Sequence, residues 1–327
     1  MHRVIGFGAA LVDQLAFVDD AFIDGIDGDK GGMELLDNAQ RCALLGALPS
    51  PPQRVPGGSA ANTVVGLAQL GVAARLLTKV GTDAEGEFYR EALEQSGVET
   101  NALKATDDAP TGTCISLVTP DSERTMRTFL GASAMLTPDD ITPEDFRGCT
   151  HAHIEGYMLF NMELMLHILT TAKACGCIVS LDLASHEVVR ACRPVLPGML
   201  REYVDMVFAN EDEAAAFAAS GDERVALERL NSFCPLAVVK LGPRGALIGT
   251  DAGVVEVEAR KATSIDTTGA GDLWAAGFLA VLLRSNDPAQ AGTAGAILGA
   301  VAVEQIGAVI PEDSWPDIRK EIADLSA

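Results

Sequence analysis

The 327-residue chain lacks several short motifs that mark common enzyme classes. It contains no GxxxxGK[ST] phosphate loop, no GxSxG turn and no HExxH motif. It also has no CxxC pair, and its seven scattered cysteines are typical of reduced thiols in a cytosolic protein. His151 and His153 would share one face of a strand, but no third metal ligand stands out near them. These absences argue against the classes that the motifs mark and against a zinc site.

Positive charge is scarce as well. The chain has 24 Lys and Arg against 46 Asp and Glu, a formal charge of −22, which disfavours nucleic acid and anionic membranes as partners. It has no apolar run of about 18 residues, so no membrane span is expected. The N-terminal stretch MHRVIGFGAALVDQLAFVDD indicates a first strand better than a signal peptide. We therefore expect a cytoplasmic protein.

Most of the chain alternates between strand and helix patterns. Strands are predicted at RVIGFGAALV, ARLLTKVG, HAHIEGYM, CIVSLDLA, DMVFAN and LAVVKLG, and GALIGT and GVVEVEA are predicted to form a hairpin. Helices are predicted at GSAANTVVGLAQLG, at DAEGEFYREALEQSGV, at 162–174, after DMVFAN, and at 272–283 and 288–304. This order predicts one α/β domain over residues 1–327, with helices on both faces of a mostly parallel sheet.

Two segments break this alternation. QLAFVDDAFIDGIDGDKGGMELLD and GTCISLVTPDSERTMRTFL alternate polar and apolar residues and predict hairpin-like strands without crossover helices. We expect them to form a small secondary β-sheet, a discontinuous lid made from about residues 13–50 and 110–130. The Pro-rich stretch ALPSPPQRVPGG is expected only to lead into the first helix.

The stretch SIDTTGAGDLWAAGF places an acid between glycines and an apolar helix. Gly269, Ala270 and Gly271 lack bulky side chains, so an anion can approach the unpaired N–H groups of the helix N-terminus. Asp272 beside that cradle would be a poor anion ligand but a good base for a hydroxyl that attacks phosphorus. The spacing alone leaves a simple helix cap equally open, because Asp is a common cap.

Three further stretches place glycines or polar side chains near strand ends, where open α/β sheets bind ligands. They are PGGSAAN with Gly57, Gly58 and Asn62, ANEDE with Asn210 and Glu213, and KLGPRGA with Gly242 and Gly245. The amide of Asn62 can hydrogen-bond a polyol. Asn210 and Glu213 suit a magnesium ion held mainly through waters and phosphates.

Taken together, these stretches resemble the ribokinase/PfkB family of carbohydrate and nucleoside kinases. GGSAANTVVGLAQLG matches its N-terminal signature and DTTGAGD its highly specific C-terminal one, while NEDE resembles its N-x-x-E and KLGPRG its G-x-x-G. The resemblance runs in order through essentially the whole chain and implies a ribokinase-like three-layer αβα fold. RTMRTFLGAS and LDLASHEVV are similar to a bacterial adenosine-kinase-like branch.

The resemblance implies a role for each matching residue in ATP-dependent phosphoryl transfer. Asp272 would be the catalytic base, with the backbone of Gly269, Ala270 and Gly271 as the anion hole. The substrate hydroxyls would be bound by Asp13, Gly57, Gly58 and Asn62. ATP would be bound by Asn210, Lys240, Gly242, Gly245 and Thr268. Asn210 and Glu213 would bind magnesium through water molecules. Asp266 and Thr268 match a monovalent-cation site found in part of the family, with backbone near 302–307, which leaves potassium open. The lid often forms a dimer contact in the family, which leaves a homodimer open.

The acceptor is less well defined than the reaction. A nucleoside needs an apolar slot for its base, and Phe129, with Leu130, Met158 and Phe160, is a candidate for it unless these are core residues. A kinase for ribose, fructose or 2-keto-3-deoxygluconate is the alternative, and Arg124 or Arg127 would serve an acidic substrate. Two other classes stay open: a nicotinamide oxidoreductase, although Leu11 stands where GFGAAL needs a third small residue, and a non-catalytic sensor of sugars or nucleosides.

Overall fold

The computed structural model describes residues 2–121 and 123–325. Its strands are β1 Arg3–Phe7, β2 Leu11–Phe17, β3 Met33–Leu35, β4 Gln53–Gly57, β5 Ala73–Leu77, β6 Lys79–Gly81, β7 Lys104–Thr106, β8 Gly112–Val118, β9 Arg124–Phe129, β10 His151–Glu155, β11 Ile178–Asp182, β12 Met206–Asn210, β13 Leu236–Lys240, β14 Ala246–Thr250 and β15 Gly253–Val257.

Its α-helices are α1 Asp20–Asp24, α2 Asn38–Ala47, α3 Ser59–Gln69, α4 Ala84–Gln95, α5 Met162–Ala174, α6 His186–Cys192, α7 Leu196–Tyr203, α8 Glu211–Ala218, α9 Glu223–Asn231, α10 Ala270–Ser285, α11 Pro288–Val303 and α12 Trp315–Asp324. None of them, within the described ranges, is long and apolar enough to span a membrane.

The large sheet has eight strands in the order β15-β14-β13-β12-β11-β10-β1-β5. The six strands from β13 to β5 run parallel, and β14 and β15 add the antiparallel hairpin at one edge. Neighbouring residues of one strand enter different cores: Val238 packs with α3, α10 and α11, and Val239 packs with α5, α8 and α9. This alternation confirms the predicted three-layer arrangement with a mostly parallel sheet.

A second sheet, called the small sheet below, has the order β3-β9-β8-β2-β4. β8 and β9 form the expected hairpin, but β2 and β3 are separated by α1 and do not pair, so the prediction of a hairpin there is wrong. The Pro-rich stretch forms β4, where Pro56 is tolerated because an edge strand need not donate at every N–H. α1 and α2 cover one face of this sheet with a core of their own, which includes Ile23, Leu44 and Ile115.

Candidate active site

The carboxyl ends of four neighbouring strands carry polar residues that meet at one edge of the large sheet. Glu155 ends β10 and is paired in register with Asp182 of β11, and Asn210 of β12 is paired with Lys240 of β13. Parallel strands point their carboxyl ends the same way, so these residues lie at the same edge of the sheet. A cavity of about 1120 Å³ opens beside Asp182, Asn210 and Lys240, as expected for an open α/β sheet.

Asp272 lies in the first turn of α10 and is held by α3. Its Oδ1 accepts a hydrogen bond from Ser59 Oγ at 2.7 Å, and its Oδ2 accepts one from Asn62 Nδ2 at 2.9 Å. Gly66 lets the two helices approach, since a Cβ there would lie 2.7 Å from Cβ of Ala276. Burial raises the pKa of Asp272 to about 6, against the lowering effect of its hydrogen bonds with Asn62 and Ser59.

The turn before α10 is shaped by glycine. Gly269 is the N-cap residue with φ +72°, and a Cβ there would lie 2.3 Å from Cβ of Ala308, so both conformation and space require glycine. The Ala270 N–H donates to Thr267 O at 3.2 Å. Within the described residues the Gly271 N–H has no backbone acceptor, so Gly271 offers the more open donor. Gly271 and Asp272 line the cavity.

Asp13 and the paired glycines lie on the other side of Asp272. β2 pairs with β4, and a Cβ on Gly57 would lie 2.5 Å from the Asp13 carboxyl carbon, so only glycine fits beside this acid. Gly58 has φ +101° and begins α3. Burial raises the pKa of Asp13 to about 7, while the nearby Arg124 guanidinium opposes the shift and Asp272 adds to it.

Asn210 and Glu213 form a capping box at the start of α8. Asn210 N donates to Glu213 Oε2 and Asn210 Nδ2 to Oε1, each at 2.8 Å, while Asn210 Oδ1 accepts from Glu213 N at 2.9 Å. Glu213 is buried, and this burial raises its pKa to about 7. Each carboxylate oxygen keeps a free lone pair, so the pair can still bind water around a cation. Residues 2–121 and 123–325 contain no group of three or more His, Cys, Asp or Glu residues arranged to hold a metal ion.

Lys240 forms a buried ion pair that sequence reasoning did not anticipate. Its Nζ lies 2.9 Å from Asp182 Oδ2, with side-chain exposures of 13% and 7%. Although burial disfavours the ammonium, Asp182 and Glu213 raise the pKa of Lys240 above its usual value, so the group stays charged. The same Nζ lies 3.0 Å from the place of a Cβ on Gly271, which brings a cation to the turn before α10.

Gly242 and Gly245 flank the 3-10 turn Gly242–Arg244 at the far end of the cavity. Both have positive φ, +55° and +93°, and a Cβ on Gly245 would lie 1.9 Å from Val257 O. Thr268 is turned toward Asp266, which accepts hydrogen bonds from its N–H and hydroxyl. Asp266 also pairs with Arg124 of the small sheet.

Phe129 is the predicted site residue that the structure does not bring to Asp272. It shares the strand face of Arg127, and the Arg41 guanidinium of α2 stacks over its ring at 5.1 Å. Arg124 and Met126 project from the other face of β9 because successive strand residues alternate.

The glycines of GFGAAL have a packing role. A Cβ on Gly6 would lie 2.6 Å from Val64, and one on Gly8 would lie 2.2 Å from Oε2 of Glu155. Glu155 in turn accepts hydrogen bonds from Ala9 N at 2.8 Å and Ala60 N at 3.2 Å. β1 leads into a strand of the small sheet and not into a helix, so the strand–turn–helix unit of a dinucleotide fingerprint is not formed.

Three residues of this region were not predicted as site residues: Ser59, Glu155 and Asp182. Glu155 and Asp182 end predicted strands, so the strand-end rule applied to Asn210 would have found them. Ser59 stands inside GGSAAN and contacts Asp272. Arg124 was considered only for an acidic substrate, and its contact with Asp266 gave no local signal because the two residues are 142 positions apart.

Known proteins resemble this chain over most of its length. The family model described as pfkB family carbohydrate kinase matches residues 44–315. The chain is 30% identical over 252 residues to the ATP-dependent ribose-1-phosphate kinase of Halopiger xanaduensis, covering 77% of this chain and 81% of that protein.

Solved structures agree over nearly the whole chain. The adenosine kinase from Sinorhizobium meliloti is 32% identical with a TM-score of 0.88, covering 98% of this chain and 99% of that one. A probable sugar kinase protein from Rhizobium etli is 30% identical with a TM-score of 0.89, covering 99% of both chains. The fold predicted from the motifs is therefore confirmed.

Proposed function

Since the chain belongs to the pfkB family of carbohydrate kinases, we propose that it transfers the γ-phosphoryl group of ATP to a primary hydroxyl of a ribose-type substrate, with Asp272 as general base. The observation that carries this proposal is the half-buried Asp272 carboxylate, which lines the cavity and accepts hydrogen bonds from Ser59 and Asn62. Two fixed hydrogen bonds orient it and leave a lone pair on each oxygen for the acceptor hydroxyl.

The proton and phosphoryl group move in opposite directions. The acceptor hydroxyl gives its proton to Asp272 as its oxygen attacks the γ-phosphorus, the bond from that phosphorus to the β–γ bridging oxygen breaks, and ADP leaves. A base works best with a pKa near the operating pH, and burial brings the pKa of Asp272 to about 6. Asn62 and Ser59 keep the carboxylate oriented while it is charged.

Charge developing on the transferred phosphoryl group would be met by the turn before α10 and by Lys240. The Gly271 N–H and the positive end of the helix dipole face the cavity. Lys240 Nζ, positioned by Asp182, adds a full charge beside Gly271. Asp182 acts here as a positioning residue.

The acidic rim of the cavity needs a cation to admit ATP. Five acids line it, Asp182, Glu211, Asp212, Glu213 and Asp272, against Lys240, Arg260 and Lys261. Magnesium bound to the phosphates would offset this imbalance and act as a Lewis acid there. Asn210 and Glu213 would hold its water shell with their oxygen atoms. Gly242 and Gly245 would bring backbone close to the nucleotide.

For the acceptor, a nucleoside such as adenosine is favoured over a free sugar. The small-sheet face that carries Asp13 also carries Met33, Leu35 and Met126, of which Met33 and Leu35 are exposed. An exposed apolar surface on the same face as Asp13 would be stabilised by contact with a purine base. The 32% identity to the Sinorhizobium meliloti adenosine kinase supports the same choice. Phe129 is not part of this face.

A kinase for a non-nucleoside sugar is the second candidate. The 30% identity to a probable sugar kinase protein and to a ribose-1-phosphate kinase favours it. A coupled ADP-release assay with adenosine, inosine, ribose, fructose and 2-keto-3-deoxygluconate separates the two. We expect the highest kcat/KM with adenosine or another nucleoside. Turnover only with a free sugar would select the second candidate, and binding without turnover of any acceptor would indicate a sensor.

The small sheet is proposed to close over the acceptor, with about residues 13–50 and 110–130 as its moving part. α1 and α2 already cover the other face of the sheet, so the exposed Phe17 side chain is the candidate contact for a homodimer through the sheet. The dimer stays a prediction, which size-exclusion chromatography with light scattering tests.

A further inference from the structure

Asp266 lies in the loop before α10 and has all its acceptor positions filled. Its Oδ1 accepts from Thr268 N at 3.0 Å and Thr268 Oγ1 at 2.8 Å. Its Oδ2 accepts from Gly307 N at 2.7 Å and Arg124 Nη1 at 2.5 Å. A carboxylate has about four lone-pair sites, so four donors leave none for a metal cation.

Part of the neighbouring backbone is engaged in hydrogen bonds with the same loop. The Gly307 N–H donates to Asp266 and so takes one of the positions at which this carboxylate could bind a cation. Val303 O already accepts from Ile265 N at 2.7 Å and from Asp266 N at 3.2 Å. The residues that match a monovalent-cation site by sequence therefore do not fit such an ion.

Arg124 comes from the small sheet and reaches across to this loop. Its Nε donates to Ser116 Oγ on β8 at 3.0 Å, which fixes the direction of the guanidinium. Its Nη1 contacts both Asp266 and the Thr268 hydroxyl. Arg124 and Asp266 are only 15% and 9% exposed, so the pair is shielded from salt. Thr268 directly precedes Gly269, the N-cap of α10.

We propose that the Arg124 guanidinium replaces the monovalent cation: it balances Asp266 and fixes the Thr268–Gly271 turn, which makes the kinase independent of potassium. The guanidinium reaches the turn only while the small sheet lies against it, so positioning of the phosphate cradle is coupled to the sheet that carries Asp13. Arg124 is a positioning residue, since it acts through Asp266 and Thr268. The inference rests on the proposed role of Gly269–Gly271 as the cradle.

The wild-type protein gives the first test. Its turnover and its melting temperature are compared in potassium chloride and in tetramethylammonium chloride at equal ionic strength. We expect kcat to agree within about twofold and the melting temperature to be unchanged, because the Asp266 carboxylate has no acceptor position left for the ion. A rate at least about tenfold higher in potassium, or a potassium-dependent rise in melting temperature, would overturn the proposal.

The variants Arg124→Ala and Arg124→Lys give the second test. We expect Arg124→Ala to lower kcat by about 10- to 100-fold with a much smaller change in the acceptor KM, since the cradle loses its alignment. Arg124→Lys should recover part of that loss. Arg54→Ala, which removes an exposed ion pair with Glu85 from the same sheet, is the matched control and should keep kcat.

The result that contradicts the role of Arg124 is an Arg124→Ala protein with wild-type kcat. This outcome is distinct from failure of the proposed function, in which the wild-type protein itself turns over no acceptor. The potassium comparison of melting temperatures remains decisive in that case, because it needs no substrate.

Discussion

Strands β10 and β11 carry two buried titratable groups of opposite kinds. In mid-strand, His151 Nε2 and His153 Nδ1 each lie 2.8 Å from the hydroxyl oxygen of Ser180. At the strand ends, Glu155 and Asp182 are paired in register, and Asp182 lines the cavity. Burial lowers the pKa of His151 and His153 to about 3 and 4, and it raises the pKa of Glu155 to about 7. Burial thus favours the neutral form in both places.

The two groups differ in what surrounds them. The histidines are fully enclosed, and in the part of the chain that the structure describes His151 Nδ1 and His153 Nε2 have no hydrogen-bond partner. At the strand ends, Asp182 borders the cavity and binds Lys240. A shifted pKa alone therefore does not identify a functional group. Access to the cavity and a charged partner distinguish Asp182 from the two histidines.

The largest effect is expected at Asp272. Asp272→Asn should fold and bind nucleotide but lose about 10²- to 10⁴-fold in kcat, because the amide cannot accept the hydroxyl proton. Stopped assays with the preferred acceptor measure kcat, and nucleotide titration checks binding. Asp287→Asn is the matched control: Asp287 caps α11 by accepting from Ala289 N and Gln290 N, and it should change stability only. Near wild-type turnover in Asp272→Asn would contradict the role of Asp272 as general base and would indicate that it only caps α10.

The second-largest effect is expected at Lys240, the cation at the strand ends. Lys240→Met should lower kcat about 10²- to 10³-fold, since the transferred phosphoryl group loses a charge and Asp182 is left unpaired. Lys79 forms a comparably buried pair with Asp140 outside the cavity lining, so Lys79→Met is the control for stability. Equal loss of kcat in both variants, at equal melting temperatures, would contradict a catalytic role for Lys240.

The pH dependence of the wild-type enzyme gives a smaller but direct readout. Asp272 must be ionised to accept a proton, so kcat/KM should fall about tenfold per unit as pH drops below about 6. Asp13, with a pKa raised to about 7, should add to this fall when its charge binds the acceptor. A flat profile down to pH 5 would exclude Asp272 as the group that titrates.

The smallest effect on activity is expected in the middle of the strands. Ser180→Ala should cost about 1–3 kcal/mol in the free energy of unfolding, because two buried imidazoles lose their shared partner, while kcat stays near wild type. Urea unfolding measures the loss, and exposed Ser232→Ala should stay within about 0.5 kcal/mol. A large drop in kcat with unchanged stability would place this group in the active site.

The same two histidines are expected to make the folded state less stable at acid pH. Their folded pKa values lie below the value of about 6.5 in an unfolded chain, so the unfolded chain binds more protons below that pH. Their contribution to stability is present above about pH 6.5 and is lost as pH falls toward 4 and 3. Ser180→Ala should change the midpoint of acid unfolding more than Ser232→Ala does.

Local sequence patterns were sufficient to predict helices and strands in which apolar residues recur at the period of that element. α5 begins and ends at the predicted residues 162 and 174, and the hairpin β14–β15 turns where Asp251, Ala252 and Gly253 predict it. β4 and α2 were missed, because prolines hide an edge strand and a short amphipathic helix packs only on the small sheet. Phe129 was predicted to bind the substrate because it is aromatic. In the structure it lies on the opposite face of β9, where its ring contacts the Arg41 guanidinium.

The sequence by itself determined which residues can do chemistry, because GAGD, NEDE and KLGPRG carry their small and polar side chains as local strings. Only the tertiary structure decided what they contact. It brings Ser59 to Asp272 across 213 residues and Arg124 to Asp266 across 142. Burial among those distant neighbours then sets which groups are charged, and burial depends on packing that no local string contains.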